Sequence, residues 1–233
     1  MTPSRLFPDP EFSALPVTGL HERYPVHRIF CVGRNYAEHA KEMGVEVDRT
    51  APFYFLKHPL ALVQSGASVP YPPGTENYHH EMELVVALGK PIFRASPEEA
   101  SKSVCGFACG LDMTRRDLQL AARSAGRPWD LGKDFEQSAV VAEIALAAEF
   151  GPVGPQRISL DVNGTTRQSA RLSDLVWSID ELLSDLSHYY HLVPGDLLFT
   201  GTPAGVGPVV PGDRLRGEID GLKPVELIIG ARE

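Results

Sequence analysis

The chain is short of several features that would assign it to a definite class. It has three cysteines among 233 residues, so a disulfide framework is not expected and reduced thiols fit a cytoplasmic protein. Its net charge is −8, which argues against a nucleic-acid binder with a broad basic face. Its apolar runs, such as residues 84–88, are far shorter than the roughly 20 residues that span a bilayer, so no membrane association is expected. The N-terminus has prolines and acidic residues where a signal peptide would have an apolar segment.

Familiar catalytic fingerprints are also missing. No Gly-x-Ser-x-Gly elbow and no motif-embedded nucleophilic cysteine is present, which disfavours serine-triad chemistry. Cys105 and Cys109 have no second pair at zinc-finger spacing and are interpreted as buried small hydrophobes. The glycine-rich loop at residues 200–208 lacks the Gly-Lys-Ser/Thr ending of a phosphate loop. It is either a plain tight connection or a turn whose backbone N–H groups hold a carboxylate.

Glycine and proline are abundant, with 21 and 20 residues, and they divide the chain into many short strands and few helices. This order of elements predicts an α+β fold. Residues 1–24 are expected to form an extended arm, followed by one catalytic domain over residues 25–233. Three helices are predicted from their first residues, with Ser96, Thr114 and Ser178 as N-caps. Asn163-Gly164 predicts a tight hairpin between two alternating runs.

The segment that carries the clearest chemistry is His79-His80-Glu81-Met82-Glu83, at the start of a predicted strand over residues 78–89. Alternate residues of a strand share a face, so Glu81 and Glu83 are expected to point the same way. The apolar residues that follow predict a central strand, where two like charges are costly unless a divalent cation lies between them. The alternative is an edge strand with two solvated glutamates.

Asp112 ends the next predicted strand, a frequent position for site residues. If Thr114 caps the following helix, Asp112 is left free to act as a ligand. Three carboxylates and no thiolate indicate a hard ion, with Mg²⁺ or Mn²⁺ ahead of Ca²⁺. A contribution from His79 stays open, because strict alternation would place it on the glutamate face.

Two further candidates are weaker on their own. His39 and Glu42 are three residues apart in a predicted helix, so they share one face. A histidine hydrogen-bonded to a carboxylate is a common general base. An exposed histidine on a charged helix is the alternative. Lys133 is either a half-buried cation that stabilises an enolate or a solvated surface lysine.

The sequence resembles the fumarylacetoacetate hydrolase family, and the resemblance is closest in its short acylpyruvate hydrolase branch. It rests on six segments in family order: CVGRNYAEHAKEMG (31–44), FLKHP (55–59), YHHEMELVVALGK (78–90), GFACGLDMTRRDLQ (106–119), LGKDFEQS (131–138) and PGDLLFTGTPAGVGPVVPGD (194–213). The resemblance implies a mixed β-roll with a few peripheral helices, a homodimer and a role in aromatic catabolism. It implies that a fourth metal carboxylate of the longer relatives has no counterpart here, and that a water takes its place.

Residue by residue, the resemblance implies three metal ligands, Glu81, Glu83 and Asp112. It makes His39 and Glu42 the pair that activates water, and Lys133 the group that stabilises developing negative charge. It assigns contacts with the keto-acid end of a diketo acid substrate to Arg116, Gln119 and Thr202.

The implied reaction is hydrolysis of the carbon–carbon bond of an acylpyruvate, with fumarylpyruvate preferred. One alternative is decarboxylation of oxaloacetate, or isomerisation and decarboxylation of a hydroxy-diene-dioate, through the same metal enolate. Another is a small-acid binding protein without turnover, which the intact candidate residues disfavour. The pocket for the acyl group is expected around residues 44–54.

Overall fold

The structure is a computed structural model that describes residues 6–7, 13–44 and 49–233. Within these ranges the α-helices, numbered α1 to α6 in chain order, are Ala37–Glu42, Pro97–Ser101, Arg116–Ser124, Asp130–Lys133, Ala147–Phe150 and Ile179–Ser187. The strands, numbered β1 to β18, are Ala14–Pro16, Arg23–Pro25, Arg28–Gly33, Phe53–Lys57, Leu62–Gln64, Ala67–Tyr71, Tyr78–His80, Met82–Leu88, Val104–Asp112, Thr114–Arg115, Ala139–Val141, Ala145–Leu146, Arg157–Val162, Thr165–Arg171, Asp196–Phe199, Gly207–Pro208, Arg214–Ile219 and Val225–Arg232. Two 3₁₀ turns are Pro59–Ala61 and Leu172–Asp174.

The largest sheet is mixed and has the order β4-β3-β15-β8-β9-β11-β5, with β12 also paired to β9. Strand β8 lies in its interior, antiparallel to both β15 and β9, while β3 runs parallel to β15. The expectation of a central strand after Glu81 is therefore confirmed, over residues 82–88 of the predicted 78–89. Together with the peripheral helices, this sheet gives the predicted α+β fold.

A five-stranded sheet, β14-β13-β17-β18-β6, packs against the largest sheet, and a three-stranded sheet, β10-β7-β16, lies at its end. Alternate residues of β8 enter different cores. Leu84 and Val86 belong to the larger cluster, which also holds Leu160 of β13. Val85 and Ala87 belong to a second cluster on the other face. Because both faces of β8 are buried, its polar residues lie in a rigid, dry environment.

Local sequence signals mark several elements correctly. Ser96 accepts a hydrogen bond from the Glu99 backbone N–H, and the Glu99 carboxylate accepts one from Ser96 in return, which completes a capping box at α2. The same reciprocal pair begins α6 at Ser178. Asn163 and Gly164 form the predicted hairpin turn between β13 and β14, both with positive φ angles.

Two predictions around the candidate site are wrong. The predicted strand over residues 78–89 is interrupted at Glu81, which lies between β7 and β8. Thr114 does not cap a helix, because it pairs with His79 in β10 and α3 begins two residues later without a side-chain cap. In both cases pairing between β7 and β10 overrides the local sequence pattern.

Part of the predicted N-terminal arm is a hairpin. Residues 1–5 and 8–12 lie outside the described residues, whereas β1 and β2 pair antiparallel and bury Leu15 and Tyr24 in the second core cluster. The Tyr24 hydroxyl contacts the carbonyl oxygens of Leu88 and Asp196 at 2.8 and 2.9 Å, which joins the hairpin to β8 and β15. The division at residue 24 stays a prediction.

The interpretation of Cys105 and Cys109 as buried small residues is confirmed for Cys109, whereas Cys105 is only partly buried; Cys31 is buried as well. None of the helices in the described part of the chain has the length and apolar character that crossing a membrane requires.

Candidate active site

Three carboxylates meet at one end of the β8–β9 pair. Glu83 lies on β8 opposite Gly110, and Asp112 ends β9. Glu81 sits at the break before β8, where its carbonyl accepts a hydrogen bond of 2.9 Å from the Asp112 backbone N–H. One carboxylate oxygen from each side chain lies within 4.8 Å of the others, and all three residues are buried. The predicted cluster is therefore present, although strand register and a break produce it instead of strict alternation. We call these three residues the acidic floor.

Basic side chains surround the acidic floor. The Lys133 ammonium lies 2.8 Å from Glu81 Oε2 and 2.6 Å from Asp112 Oδ2. Arg116 Nη2 donates to Glu81 Oε1. Lys57 Nζ lies 2.8 Å from Asp112 Oδ1, and all three basic residues are buried. These pairs offset the desolvation of two of the carboxylates.

Glu83 is the carboxylate left without a cation among the described residues. The Gly201 backbone N–H donates a hydrogen bond of 2.7 Å to its Oε2. Burial, followed by the charges of Asp112 and Glu81, raises the pKa of Glu83 well above its usual value. For Glu81 the balance is reversed: burial opposes ionisation, but Lys133 and Arg116 together lower its pKa. Of the three carboxylates, Glu83 is therefore the one whose ionised form its surroundings stabilise least.

The residues present fit a divalent cation. The Oδ1 atom of Asp112 is fully buried yet accepts no hydrogen bond, because the nearby Lys57 ammonium lacks the required geometry. A buried carboxylate oxygen without a hydrogen bond, beside two further carboxylates, is a donor set for a hard ion such as Mg²⁺ or Mn²⁺. His79 does not belong to this set; its Nε2 lies 2.8 Å from Asn77 Oδ1, and burial and Arg116 lower its pKa to about 4.

The predicted histidine–glutamate pair forms on α1. His39 Nδ1 lies 3.2 Å from Glu42 Oε2, and the His39 ring is buried in the wall of the cavity that Glu81 and Glu83 also line. The Gly205 backbone N–H donates to the Glu42 carboxylate oxygens at 3.1 and 3.2 Å. The glycine-rich loop therefore holds two carboxylates, Glu42 through Gly205 and Glu83 through Gly201, as one of the two interpretations of its sequence predicts.

The three predicted substrate contacts line the same cavity. Arg116 Nη1 donates to Gln119 Oε1 one turn further along α3. Thr202 lies in the glycine-rich loop, where its hydroxyl accepts a hydrogen bond of 2.8 Å from Gln168 Nε2. Lys133, at the end of α4, is fully buried, so the surface-lysine alternative is wrong. All nine predicted residues thus converge on one cavity or on a side chain that lines it.

Two residues that support the site carry no clear signal in the sequence. Lys57 ends β4, where an alternating pattern does not reveal that its ammonium reaches Asp112. Gln168 lies in a mostly exposed strand of the hairpin, yet it is fully buried. Its Oε1 accepts from the Met82 backbone N–H at 3.0 Å, and its amide group donates to Thr202, so it fixes the loop to the start of β8.

A buried trio of carboxylates, a lysine against it and a histidine–glutamate pair over the same cavity define a divalent-metal-dependent enzyme. Residues 28–228 match the C-terminal domain of fumarylacetoacetate hydrolase. The chain therefore belongs to the fumarylacetoacetate hydrolase family.

Individual relatives support this assignment. A fumarylpyruvate hydrolase of a Ralstonia species is 52% identical over 193 residues, which cover 82% of this chain and 100% of the relative. An oxaloacetate tautomerase of Escherichia coli is 39% identical over 199 residues, covering 85% and 90% of the two chains. The crystal structure of fumarylpyruvate hydrolase from Pseudomonas aeruginosa in complex with Mn²⁺ and pyruvate superimposes with a TM-score of 0.94 at 44% identity, covering 98% of this chain and 100% of that one.

Proposed function

We propose that this protein hydrolyses the carbon–carbon bond of an acylpyruvate, with fumarylpyruvate as the preferred substrate and fumarate and pyruvate as products. The observation that carries this proposal is that the acidic floor and the His39–Glu42 pair line or reach one cavity. A metal site alone suits enolate chemistry, whereas a histidine–carboxylate pair beside it adds a means to activate water. The similarity to two fumarylpyruvate hydrolases supports the same reaction.

In this proposal the floor holds the ion and its neighbours hold the substrate. Glu81, Glu83 and Asp112 provide the carboxylate ligands. The ion, when bound, supplies Lewis acidity toward the 2-oxo acid edge of the substrate. Arg116 and Gln119 donate hydrogen bonds to the keto-acid end, and Thr202 contacts it from the glycine-rich loop.

His39 is the general base. In this role the Nδ1–H of His39 donates a hydrogen bond to the Glu42 carboxylate, which leaves Nε2 unprotonated and able to take a proton from a water molecule in the cavity. The oxygen of that water attacks the distal carbonyl carbon as the proton moves to His39. Gly205 keeps the Glu42 carboxylate in place through its backbone N–H.

Collapse of the hydrated carbonyl breaks the bond between this carbon and the adjacent methylene. The electron pair of that bond remains on the pyruvate fragment as an enolate, and fumarate leaves with the oxygen from water. Lys133 stabilises the negative charge of the enolate through its buried ammonium group. Return of the proton from His39 to the methylene carbon gives pyruvate, and the new carboxylic acid group of the other product loses its proton to solvent to give fumarate, which balances atoms and charge.

The experiment that tests this function is an assay of the purified, Mg²⁺-loaded protein on fumarylpyruvate, acetylpyruvate and oxaloacetate. We expect release of pyruvate from both acylpyruvates, faster from fumarylpyruvate, and little turnover of oxaloacetate. Turnover of oxaloacetate alone would contradict hydrolysis and favour the alternative enolate reactions. Measurable binding without turnover of any of the three acids would favour a binding protein.

Three further properties are proposed on less direct grounds. A cytoplasmic location is supported by three free cysteines, of which Cys31 and Cys109 are buried. A homodimer and a role in aromatic catabolism are proposed from the family resemblance, and light scattering of the purified protein tests the first. Mg²⁺ is proposed as the physiological ion because three carboxylates provide the hard oxygen ligands that it prefers.

A further inference from the structure

The cavity continues from the acidic floor toward the surface along one face of α3. Arg116, Gln119, Leu120 and Arg123 all line it, and their spacing of three, four and seven residues places them on a single helical face. Exposure rises along this face, from 3% at Arg116 and 5% at Gln119 to 42% at Leu120. The helix therefore runs from the buried end of the cavity, where the keto acid is held, to its mouth.

Arg123 provides a cationic group at this mouth. It is half-buried, and its Nη1 donates a hydrogen bond of 3.2 Å to the backbone carbonyl of Met43, at the end of α1. A guanidinium group has five N–H donors in a planar fork, and this hydrogen bond uses one. The anchored group can therefore still present donors to an anion in the cavity.

The length of α3 between the two arginines suits a substrate with a carboxylate at each end. Seven residues of helix rise about 10 Å from Arg116 to Arg123. Six carbon–carbon bonds of about 1.5 Å join the two carboxylate carbons of fumarylpyruvate, so these carbons are at most ~9 Å apart. With one carboxylate at Arg116, an extended substrate brings the other within reach of the Arg123 side chain.

The wall between the two arginines suits an unsaturated acyl chain. Met43, Phe55, Leu120 and Trp129 line it with apolar and aromatic surface. The sequence predicts the acyl pocket around residues 44–54, but the described residues of that segment, 44 and 49–54, do not line the cavity, whereas Met43 and Phe55 on either side of it do. Residues 45–48 lie outside the described part of the chain. An apolar wall alone would accept any acyl group, so a charged group at its outer end adds discrimination.

We propose that Arg123 binds the distal carboxylate of the acyl group and makes the enzyme selective for dicarboxylic acylpyruvates over neutral ones. This inference rests on the proposed function, since it identifies what distinguishes one acylpyruvate from another. Arg123 is a specificity-determining residue that touches the end of the substrate remote from the reacting bond. Its hydrogen bond to the Met43 carbonyl already orders the guanidinium group, so less side-chain conformational entropy is lost when the substrate binds.

The test compares fumarylpyruvate with acetylpyruvate in the wild-type enzyme and in Arg123→Gln and Arg123→Lys. We expect Arg123→Gln to lower kcat/KM for fumarylpyruvate about 10- to 100-fold, mainly through KM, the range for loss of a hydrogen bond to a charged group. The fall for acetylpyruvate should be much smaller, because it lacks the distal carboxylate. Arg123→Lys keeps the charge and should recover part of the selectivity.

Arg127→Gln is the matched control, because Arg127 is exposed, lies four residues further along the chain and does not line the cavity. It should retain the wild-type ratio of the two substrates. The proposal would be overturned if Arg123→Gln lowered kcat/KM equally for both substrates, through a lower kcat. That result would show that Arg123 only positions α1 through Met43. If the wild-type enzyme cleaves neither acylpyruvate, the proposed function itself fails, which is a distinct result.

Discussion

The acidic floor and the His39–Glu42 pair face one cavity but are built in different ways. The floor lies on and beside two interior strands, with three buried basic side chains against it. The pair lies on a six-residue helix that has no side-chain N-cap. Two contacts from outside the helix hold its end, from the Gly205 backbone to Glu42 and from Arg123 to the Met43 carbonyl.

Because the two regions are built differently, we expect ion binding by the floor and water activation by the His39–Glu42 pair to respond separately to substitutions. The floor is part of the core of the fold, so its geometry is fixed by strand register and buried ion pairs. The pair depends on a short helix, which is marginal in isolation and needs tertiary contacts to form. We therefore expect changes to the floor to affect ion binding and every reaction of the enzyme, and changes to the pair to affect only the step that uses water.

Removal of the ion should give the largest effect. Dialysis against EDTA is expected to reduce acylpyruvate cleavage more than about a thousandfold, because single electrostatic donors at reacting oxygens already contribute ~10²–10³. Addition of Mg²⁺ or Mn²⁺ should restore the rate, and atomic absorption should show its return with the metal content. An undiminished rate in protein shown to be metal-free would contradict the role of the floor.

Replacing His39 should distinguish the pair from the floor, because it should slow hydrolysis and leave ion-dependent ligand binding intact. We expect His39→Ala to slow hydrolysis of fumarylpyruvate by about 10²–10⁴, the usual contribution of a general base. Binding of oxalate, an analogue of the pyruvate enolate, should change little in calorimetric titrations with Mg²⁺ present. Glu81→Ala is the comparison variant and should lose both the hydrolysis of fumarylpyruvate and the binding of oxalate. If His39→Ala hydrolyses fumarylpyruvate at the normal rate, water activation by this pair is wrong.

A glycine that supports the pair should give an intermediate effect. Gly205 has a φ of +97°, and an added Cβ would lie 2.0 Å from the Arg167 carbonyl oxygen. Gly205→Ala should cost about 1–3 kcal/mol of unfolding free energy, the usual range for a strained backbone. Displacement of its N–H from Glu42 should lower kcat as well.

Gly207→Ala provides the control in the same loop, since its Cβ would make only an ordinary contact of 3.6 Å with His80 Nε2. Denaturant unfolding and steady-state kinetics of both variants measure the two effects. Equal behaviour of the two variants would show that Gly205 has no special role.

The smallest effect concerns the stability of the floor without its ion. The pKa of Glu83 is higher in the fold than in the unfolded chain, where it is near 4.5, so its ionisation at pH 7 costs stability. Glu83→Gln should therefore stabilise the metal-free protein by about 1 kcal/mol or more. The advantage should shrink as the pH falls toward 4.5, where the wild-type carboxyl is protonated in the fold.

Thermal unfolding in EDTA and in excess Mg²⁺ measures this difference. In Mg²⁺ the order of stability should reverse, because the wild-type site binds the ion more tightly than the variant does. A variant that is less stable than wild type in EDTA at pH 7 would show that Glu83 is not a source of repulsion.

The predictability of each part of the molecule follows from the range of the interactions that form it. Ser96, Ser178 and the Asn163-Gly164 turn act within a few residues, so the sequence alone indicates their structures. The break at Glu81 and the pairing of Thr114 depend on a strand more than thirty residues away along the chain. The paired glutamates and Asp112 indicate a metal site through their chemistry, whereas the roles of Arg116, Gln119 and Thr202 are implied only by the family resemblance. The supporting contacts of Lys57 and Gln168 arise only when distant elements meet.

Lys133 has a consequence for how the holoenzyme is assembled. Its ammonium group already bridges Glu81 and Asp112, so the polypeptide supplies a placeholder charge and folding need not wait for a metal. We therefore expect metal loading to be late and reversible, with the tertiary structure retained when the ion is removed. We expect the folded protein to take up Mg²⁺ or Mn²⁺ at the three carboxylates after synthesis of the chain.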